Sequence, residues 1–99
     1  MPYRIEFSPE TIHHFQSLTA RQRSLVLAAV EEQLSHQPAV ETRNRKPMRP
    51  NPLAPWELRV EECRIDYDVV DDPEPVVLVL AVGVKDRARV ILGGEEIEL

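Results

Sequence analysis

The sequence contains little cysteine, little glycine and few aromatic residues. Its 99 residues include one cysteine, which excludes an intramolecular disulfide framework. Its pair of adjacent glycines, Gly93 and Gly94, lacks the lysine and the following helix of a phosphate-binding loop. No apolar run reaches the roughly 18 residues of a membrane-spanning helix, and the amino terminus shows no signal-peptide pattern. We therefore expect a globular cytoplasmic protein with no membrane partner.

The net charge is small and negative, but it is unevenly distributed. A formal charge of −5 argues against non-specific adhesion to nucleic acid or to an anionic membrane. Residues 66–74 hold acids and no base, whereas residues 42–56 hold bases and no acid. A local basic patch of this kind can bind phosphate, although its cations can equally be solvated in an exposed loop. The bases of this patch are Arg43, Arg45, Lys46 and Arg49.

The amino-terminal half is predicted to form a strand and two helices. Residues 3–7 alternate between apolar and polar types, which indicates a short strand with Tyr3, Ile5 and Phe7 inward. Ser8 followed by Pro9 marks the start of a helix, and Thr19 with Gln22 forms a capping box for a second one. A long connection over residues 39–55 follows, with a short strand expected near residues 45–48. The helix residues predicted to face the sheet are Ile12, Phe15 and Leu18 in the first helix, and Leu27, Val30 and Leu34, supported by Val26 and Ala29, in the second.

The carboxyl-terminal half is predicted to contain a three-stranded antiparallel meander. Residues 56–60 and 63–69 alternate in polarity, as half-buried strands do, whereas residues 76–85 are apolar almost throughout. Residues 90–92 add a possible edge strand, and Cys63 falls on the apolar side of its strand as a small core residue. The whole chain, residues 1–99, is therefore predicted to be one α+β domain of order β-α-α-β-β-β, an antiparallel sheet with a helical hairpin packed on one face.

A tight hairpin at residues 61–62 would place Arg59 directly opposite Arg64, on the face away from the apolar residues. Like charges in direct opposition destabilise a sheet, so something outside the pair must compensate. Two compensations remain open: the neighbouring acids Glu57 and Asp66, or a bound phosphate.

The sequence offers no support for a metal or cofactor site. His13 and His14 are adjacent on a helix and point about 100° apart, so they cannot chelate one metal ion together. His36 stands alone at a helix end, and no serine–histidine–acid or cysteine–histidine set has supporting spacing. We expect neither a metal nor a cofactor.

The order and spacing of these segments resemble the RelE/ParE superfamily of bacterial toxins over essentially the whole chain. The resemblance is carried by residues 56–60 (Trp-Glu-Leu-Arg-Val), 63–69 (Cys-Arg-Ile-Asp-Tyr-Asp-Val) and 82–87 (Val-Gly-Val-Lys-Asp-Arg). It implies a RelE-like fold and the toxin role in a type II toxin–antitoxin pair. The implied partners are a cognate antitoxin, the ribosome and mRNA, with operator DNA bound only through the antitoxin.

The resemblance also implies roles for particular residues. Carried over by position, Arg59, Arg64 and Lys85 gather the scissile phosphate of mRNA in a ribosome-dependent endoribonuclease. Two positions depart from the pattern: Glu57 stands where many members carry a lysine, and Ile91 stands where a catalytic tyrosine is expected. Tyr67 is predicted to face the core and so does not replace that tyrosine. The residues expected to bind RNA are Arg43, Arg45, Lys46, Arg49, Arg87 and Arg89.

Two other functions are compatible with the same resemblance. A ParE-like inhibitor of DNA gyrase needs no RNA-cleaving residues and tolerates Ile91, and a degenerate member would only bind its antitoxin. In every case the antitoxin is expected to bind through an amphipathic helix or an added strand, for which residues 90–92 are a candidate edge.

Overall fold

The computed structural model describes residues 2–86, 89–93 and 95–97, which form two helices and seven strands. Neither helix has the length and hydrophobicity needed to cross a lipid bilayer. The helices are α1 (Glu10–Gln16) and α2 (Ala20–Leu34), and the strands are β1 (Arg4–Phe7), β2 (Arg45–Pro47), β3 (Trp56–Val60), β4 (Cys63–Val70), β5 (Val76–Asp86), β6 (Arg89–Leu92) and β7 (Glu95–Ile97).

The strands form one sheet in the order β2-β3-β4-β5-β6-β7, in which all neighbours are antiparallel. The predicted α+β class, the helical pair, the meander and the short strand β2 are confirmed. One feature differs from the prediction: β1 lies beside the first half of β5 and is parallel to it, so the sheet is mixed. The polarity pattern identifies a strand but not its partner. A parallel pair needs a long connection between its strands, and α1 and α2 form part of the connection between β1 and β5.

The predicted edge strand over residues 90–92 is not at the edge. Gly93 adopts a positive φ of 59°, and the chain turns back so that β7 pairs with β6. The sequence analysis treated the last residues only as an acidic end. The candidate docking edge for an antitoxin is therefore covered by β7.

The core lies between the helices and one face of the sheet. Leu58, Ile65, Tyr67 and Val79 from the strands are fully buried there, as predicted for β3 and β4. The buried thiol of Cys63 is also part of this core, and burial raises its pKa.

The predicted apolar helix faces are only partly correct. Ile12 is 66% exposed and Leu27 is 49% exposed, so both point away from the core. In α1 the buried residue is Thr11, because its hydroxyl donates a 2.6 Å hydrogen bond to the Ser8 carbonyl and is thereby satisfied. In α2 the buried residues are Val26, Ala29, Val30 and Leu34, all of them predicted, and only Leu27 departs from the predicted face.

Of the two predicted helix caps, one is confirmed and the other is wrong. Thr19 and Gln22 make the predicted reciprocal capping box at the start of α2. Ser8 does not cap α1, since its hydroxyl donates instead to the Leu80 carbonyl on β5. The serine therefore fastens the end of β1 to the sheet.

Candidate functional site

The β3–β4 hairpin fixes which side chains lie on the face opposite the helices, here called the outer face. The chain turns at Glu61, which has a φ of 52°, and Val60 pairs with Cys63. Successive strand residues point to opposite faces, so Arg59 and Arg64 are direct partners on the outer face. The register predicted from the sequence is confirmed.

The two arginines have different partners. Arg59 is exposed, and its Nε lies 2.9 Å from Oε1 of Glu57. The guanidinium of Arg64 bends toward the hairpin turn and donates to the carbonyls of Glu61 at 2.7 Å and Cys63 at 2.8 Å. Neither arginine turns under the helices. The two guanidinium groups thus bind different acceptors, a carboxylate for Arg59 and backbone carbonyls for Arg64.

A pair of carboxylates lies one step along the same face. Glu57 is the direct cross-strand partner of Asp66, and Asp66 pairs with Ala81 on the next strand. Asp66 is only 1% exposed, and neither of its carboxylate oxygens has a hydrogen-bond partner among the described residues. The side chain of Glu57 remains 12% exposed beside Arg59. The site therefore combines a cation pair and a carboxyl pair in adjacent rows.

Burial dominates the protonation of this carboxyl pair. Loss of hydration raises the pKa of Asp66 to about 7, the negative Glu57 raises it further, and the positive Arg64 partly opposes both effects. Glu57, the cross-strand neighbour of Asp66, is bound to Arg59. The proton is therefore best placed on Asp66.

Two lysines extend the outer face on either side of the hairpin. Lys46 pairs with Glu57 across β2 and β3, and its Nζ lies 3.5 Å from a carboxylate oxygen of Glu41. Lys85 is exposed and alternates with the core residue Val84, which places it on the outer face. The structure thus brings Arg59, Arg64 and Lys85, the three predicted catalytic residues, to one face together with Lys46.

Other predicted RNA-binding residues are placed differently. Arg45 pairs with Leu58 on the helix side, and its guanidinium donates to the carbonyls of Val40 and Gln33, the latter at the end of α2. Its guanidinium therefore caps the carboxyl end of α2 while the side chain remains half-buried, which the basic pattern of its segment does not reveal. Arg43 is exposed. Arg87 lies outside the described residues, and the side chain of Arg89 does as well.

Arg49 belongs to the proline-rich part of the connection. This segment, residues 48–55, borders a cavity of about 420 Å³ whose other walls are Asp68 and Leu80. The side chain of Arg49 is exposed at this cavity. It is a surface cation beyond the carboxyl pair.

Neither Ile91, which stands where a catalytic tyrosine is expected, nor Tyr67, which was weighed as its replacement, reaches the outer face. Ile91 pairs with Val84, so it lies on the helix side of the sheet. Tyr67 is fully buried, stacks on Trp56 with ring centroids 6.3 Å apart, and donates a 2.7 Å hydrogen bond to the Pro38 carbonyl. Burial raises the pKa of Tyr67 to about 12. Its role is to hold the long connection against the core.

The sequence points to Asp66 only as an acid that could compensate the arginine pair and as part of an acidic segment, and it does not predict the burial of this residue. The register that pairs the arginines also pairs Glu57 with Asp66, and this relation was available from the sequence. What pattern alone does not reveal is that Asp66 is buried without a partner. Among the described residues, no group of three or more histidine, cysteine or acidic side chains is arranged to hold a metal ion.

Comparison with known proteins gives one informative result. No family model matches the sequence, and no curated protein sequence matches it. Among solved structures, the chain is similar to one in the RelBE2 toxin–antitoxin complex of Mycobacterium tuberculosis. The TM-score is 0.72 at 25% sequence identity, and the match covers 86% of this chain and 93% of that one. The similarity to RelE-type toxins inferred from the sequence is therefore confirmed by the fold.

Proposed function

We propose that the chain is the toxin of a toxin–antitoxin pair and acts as a ribosome-dependent endoribonuclease. The observation that carries the proposal is the direct pairing of Arg59 with Arg64 on the outer face, with Lys46 and Lys85 on the same face. The structural likeness to a chain of a toxin–antitoxin complex supports the toxin role. The proposed target places the activity in the cytoplasm.

The cations are suited to the charge that develops during RNA cleavage. When a ribose 2′-hydroxyl attacks the adjacent phosphate, negative charge accumulates on the phosphorane oxygens, and guanidinium groups stabilise it by charge-assisted hydrogen bonds. Arg59 is half exposed and needs only to exchange Glu57 for phosphate. Arg64 must release the carbonyls of Glu61 and Cys63, to which its guanidinium donates, in order to bind the phosphate. The proposed RNA contacts are Arg43, Arg45, Lys46, Arg49, Arg87 and Arg89, of which Arg45 must first release the carbonyls of Val40 and Gln33.

The antitoxin is proposed to bind apolar surface that the helices leave uncovered. Ile12 on α1 and Leu27 on α2 are large apolar residues with most or half of their surface exposed. Burial of such side chains is the usual source of affinity when a flexible segment folds onto a partner. Addition of a strand remains possible at β7, the terminal strand of the described sheet.

A ParE-like inhibitor of DNA gyrase is the second candidate. It is favoured by the position of Ile91, which lies on the helix side and brings no proton-transferring group to the arginines. Inhibition of gyrase by binding would need no such group.

One experiment separates these functions. The wild-type chain is induced in bacterial cells, and mRNA cleavage on ribosomes is mapped while plasmid supercoiling is measured. We expect mRNA cleavage with normal supercoiling, and we expect Arg64→Ala to reduce cleavage about a hundredfold, as removal of one transition-state donor does.

Arg4→Ala is the matched control, because Arg4 is also a strand arginine held by carboxylates, Glu6 and Glu74, but it lies on β1. It should cleave as the wild type does. Intact mRNA with loss of supercoiling would establish the gyrase alternative, and the absence of both effects would indicate a chain that only binds its antitoxin.

A further inference from the structure

We propose that Glu57 and Asp66 form a carboxyl pair that supplies the proton transfer in RNA cleavage, with Glu57 as the general base and Asp66 as the residue that sets its protonation. This inference rests on the proposed nuclease function and names the group that takes the substrate proton. It fills the role for which the sequence offers no tyrosine.

The geometry distinguishes the two members of the pair. They are direct cross-strand partners, a relation that places Cβ atoms about 4.5–5.5 Å apart. Glu57 is the member with exposed surface, and it lies beside Arg59 in the row next to the arginine pair. Asp66 lies behind it, buried, with both oxygens unpartnered among the described residues. Only Glu57 can meet a substrate, so Asp66 acts through Glu57 as a positioning residue.

The proposed step balances in protons and electrons. The carboxylate of Glu57 takes the proton from the ribose 2′-hydroxyl, and the 2′-oxygen forms a bond to the adjacent phosphorus. The bond from phosphorus to the 5′-oxygen breaks, its electron pair stays on that oxygen, and solvent water supplies the proton it needs. Glu57 then returns its proton to water. The products are a 2′,3′-cyclic phosphate and a 5′-hydroxyl, and Arg59 is released from Glu57 to the phosphate during the step.

Asp66 gives this base a pH response near neutrality. The groups that face Asp66 are Glu57 on β3, Arg64 on its own strand and the apolar Ala81 on β5, and Lys46 lies beyond Glu57. While Asp66 is protonated, Glu57 carries the only negative charge of the pair. When Asp66 ionises near pH 7, the negative charge beside Glu57 increases, and this favours transfer of the substrate proton to the pair. The cleavage rate should therefore rise through pH 7.

The test measures single-turnover cleavage of a short mRNA on purified ribosomes between pH 6 and 8.5. Glu57→Gln should lower the rate at saturating enzyme by about a hundredfold or more, the usual contribution of a general base, without weakening ribosome binding. Asp66→Asn should retain cleavage within about tenfold of wild type and lose the inflection near pH 7.

Glu6→Gln is the matched control, because Glu6 also pairs with an arginine two residues away on a strand, with 3.0 Å between the charged atoms. It should leave both rate and profile unchanged. Wild-type cleavage with an unaffected Glu57→Gln variant would overturn this inference alone. A wild-type chain that cleaves no mRNA would overturn the proposed function and this inference with it.

A measurement on the wild-type chain tests the carboxyl pair without relying on the folding of any variant. Carboxyl carbon NMR of the wild-type chain should show the resonance of Asp66 titrating near pH 7. A titration of Asp66 near pH 4 would refute its proposed role in the carboxyl pair.

Discussion

Ile65 and Asp66 are neighbours on β4 with nearly equal burial, and they lie on opposite faces of the sheet. Ile65 is 0% exposed and packs in the core under the helices, whereas Asp66 is 1% exposed on the outer face. Burial of an apolar side chain stabilises the fold, but burial of an unpaired carboxyl group opposes it. Equal accessibility thus has opposite consequences, and the face with the unfavourable burial is the one that carries the candidate site.

The unfavourable burial of the Asp66 carboxyl group on the outer face is consistent with a functional role. Polar groups held in an unfavourable environment are common at catalytic sites, where shifted pKa values serve proton transfer near neutral pH. On the helix side, by contrast, the buried hydroxyl of Tyr67 has a hydrogen-bond partner, the Pro38 carbonyl. The contrast can be tested by changing three consecutive residues of one strand.

The largest effect is expected from Ile65→Ala on the helix side. Removal of this buried side chain should lower the free energy of unfolding by about 2–5 kcal/mol at every pH, through lost burial and the cavity left behind. Denaturant unfolding at pH 5 and pH 8 measures it. A loss below about 1 kcal/mol would mean that the helices do not pack tightly over β4.

The next effect, of opposite sign, is expected from Asp66→Asn. The folded pKa of about 7 lies above the ordinary 3.8, so the unfolded chain loses this proton first as the pH rises. Stability is therefore fully present below about pH 4 and is lost progressively up to pH 7 and beyond, by an amount on the order of 4 kcal/mol.

Asp66→Asn removes this loss, because the amide does not ionise. The variant should exceed wild type in unfolding free energy by about 1–4 kcal/mol at pH 8, and the two should converge near pH 4. Denaturant unfolding across this range gives both curves. A variant less stable than wild type at pH 8 would show that the carboxylate is satisfied in solution.

The smallest of the three effects is expected from Tyr67→Phe. The change preserves the ring and its stacking on Trp56 but leaves the Pro38 carbonyl without its donor, at a cost of about 1–2 kcal/mol. Thermal unfolding measures the loss, and mRNA cleavage should not change because Tyr67 does not reach the outer face. Loss of mRNA cleavage in a stably folded Tyr67→Phe variant would show that Tyr67 takes part in the reaction.

The sequence predicted the hairpin well because two independent signals agree there. Alternation assigns each side chain to a face, and a two-residue turn fixes the register, so the Arg59–Arg64 pair was predictable. Helix faces were harder, because both a stripe through Leu27 and one through Val26 and Ala29 fit the helical period. The role of Arg45 was hidden for another reason: its acceptors come from α2 and the following loop.

The sequence by itself determined the order of the elements, the meander register and the gathering of Arg59 and Arg64 on one face. These follow from local periodicity and a short turn, which act between residues close in the chain. Only the tertiary structure decided that β1 pairs with β5, that β7 covers β6 and that Asp66 is buried beside Glu57. The burial of Asp66, and the raised pKa that follows from it, depend on groups from distant segments of the chain. The local sequence pattern does not predict which groups these are.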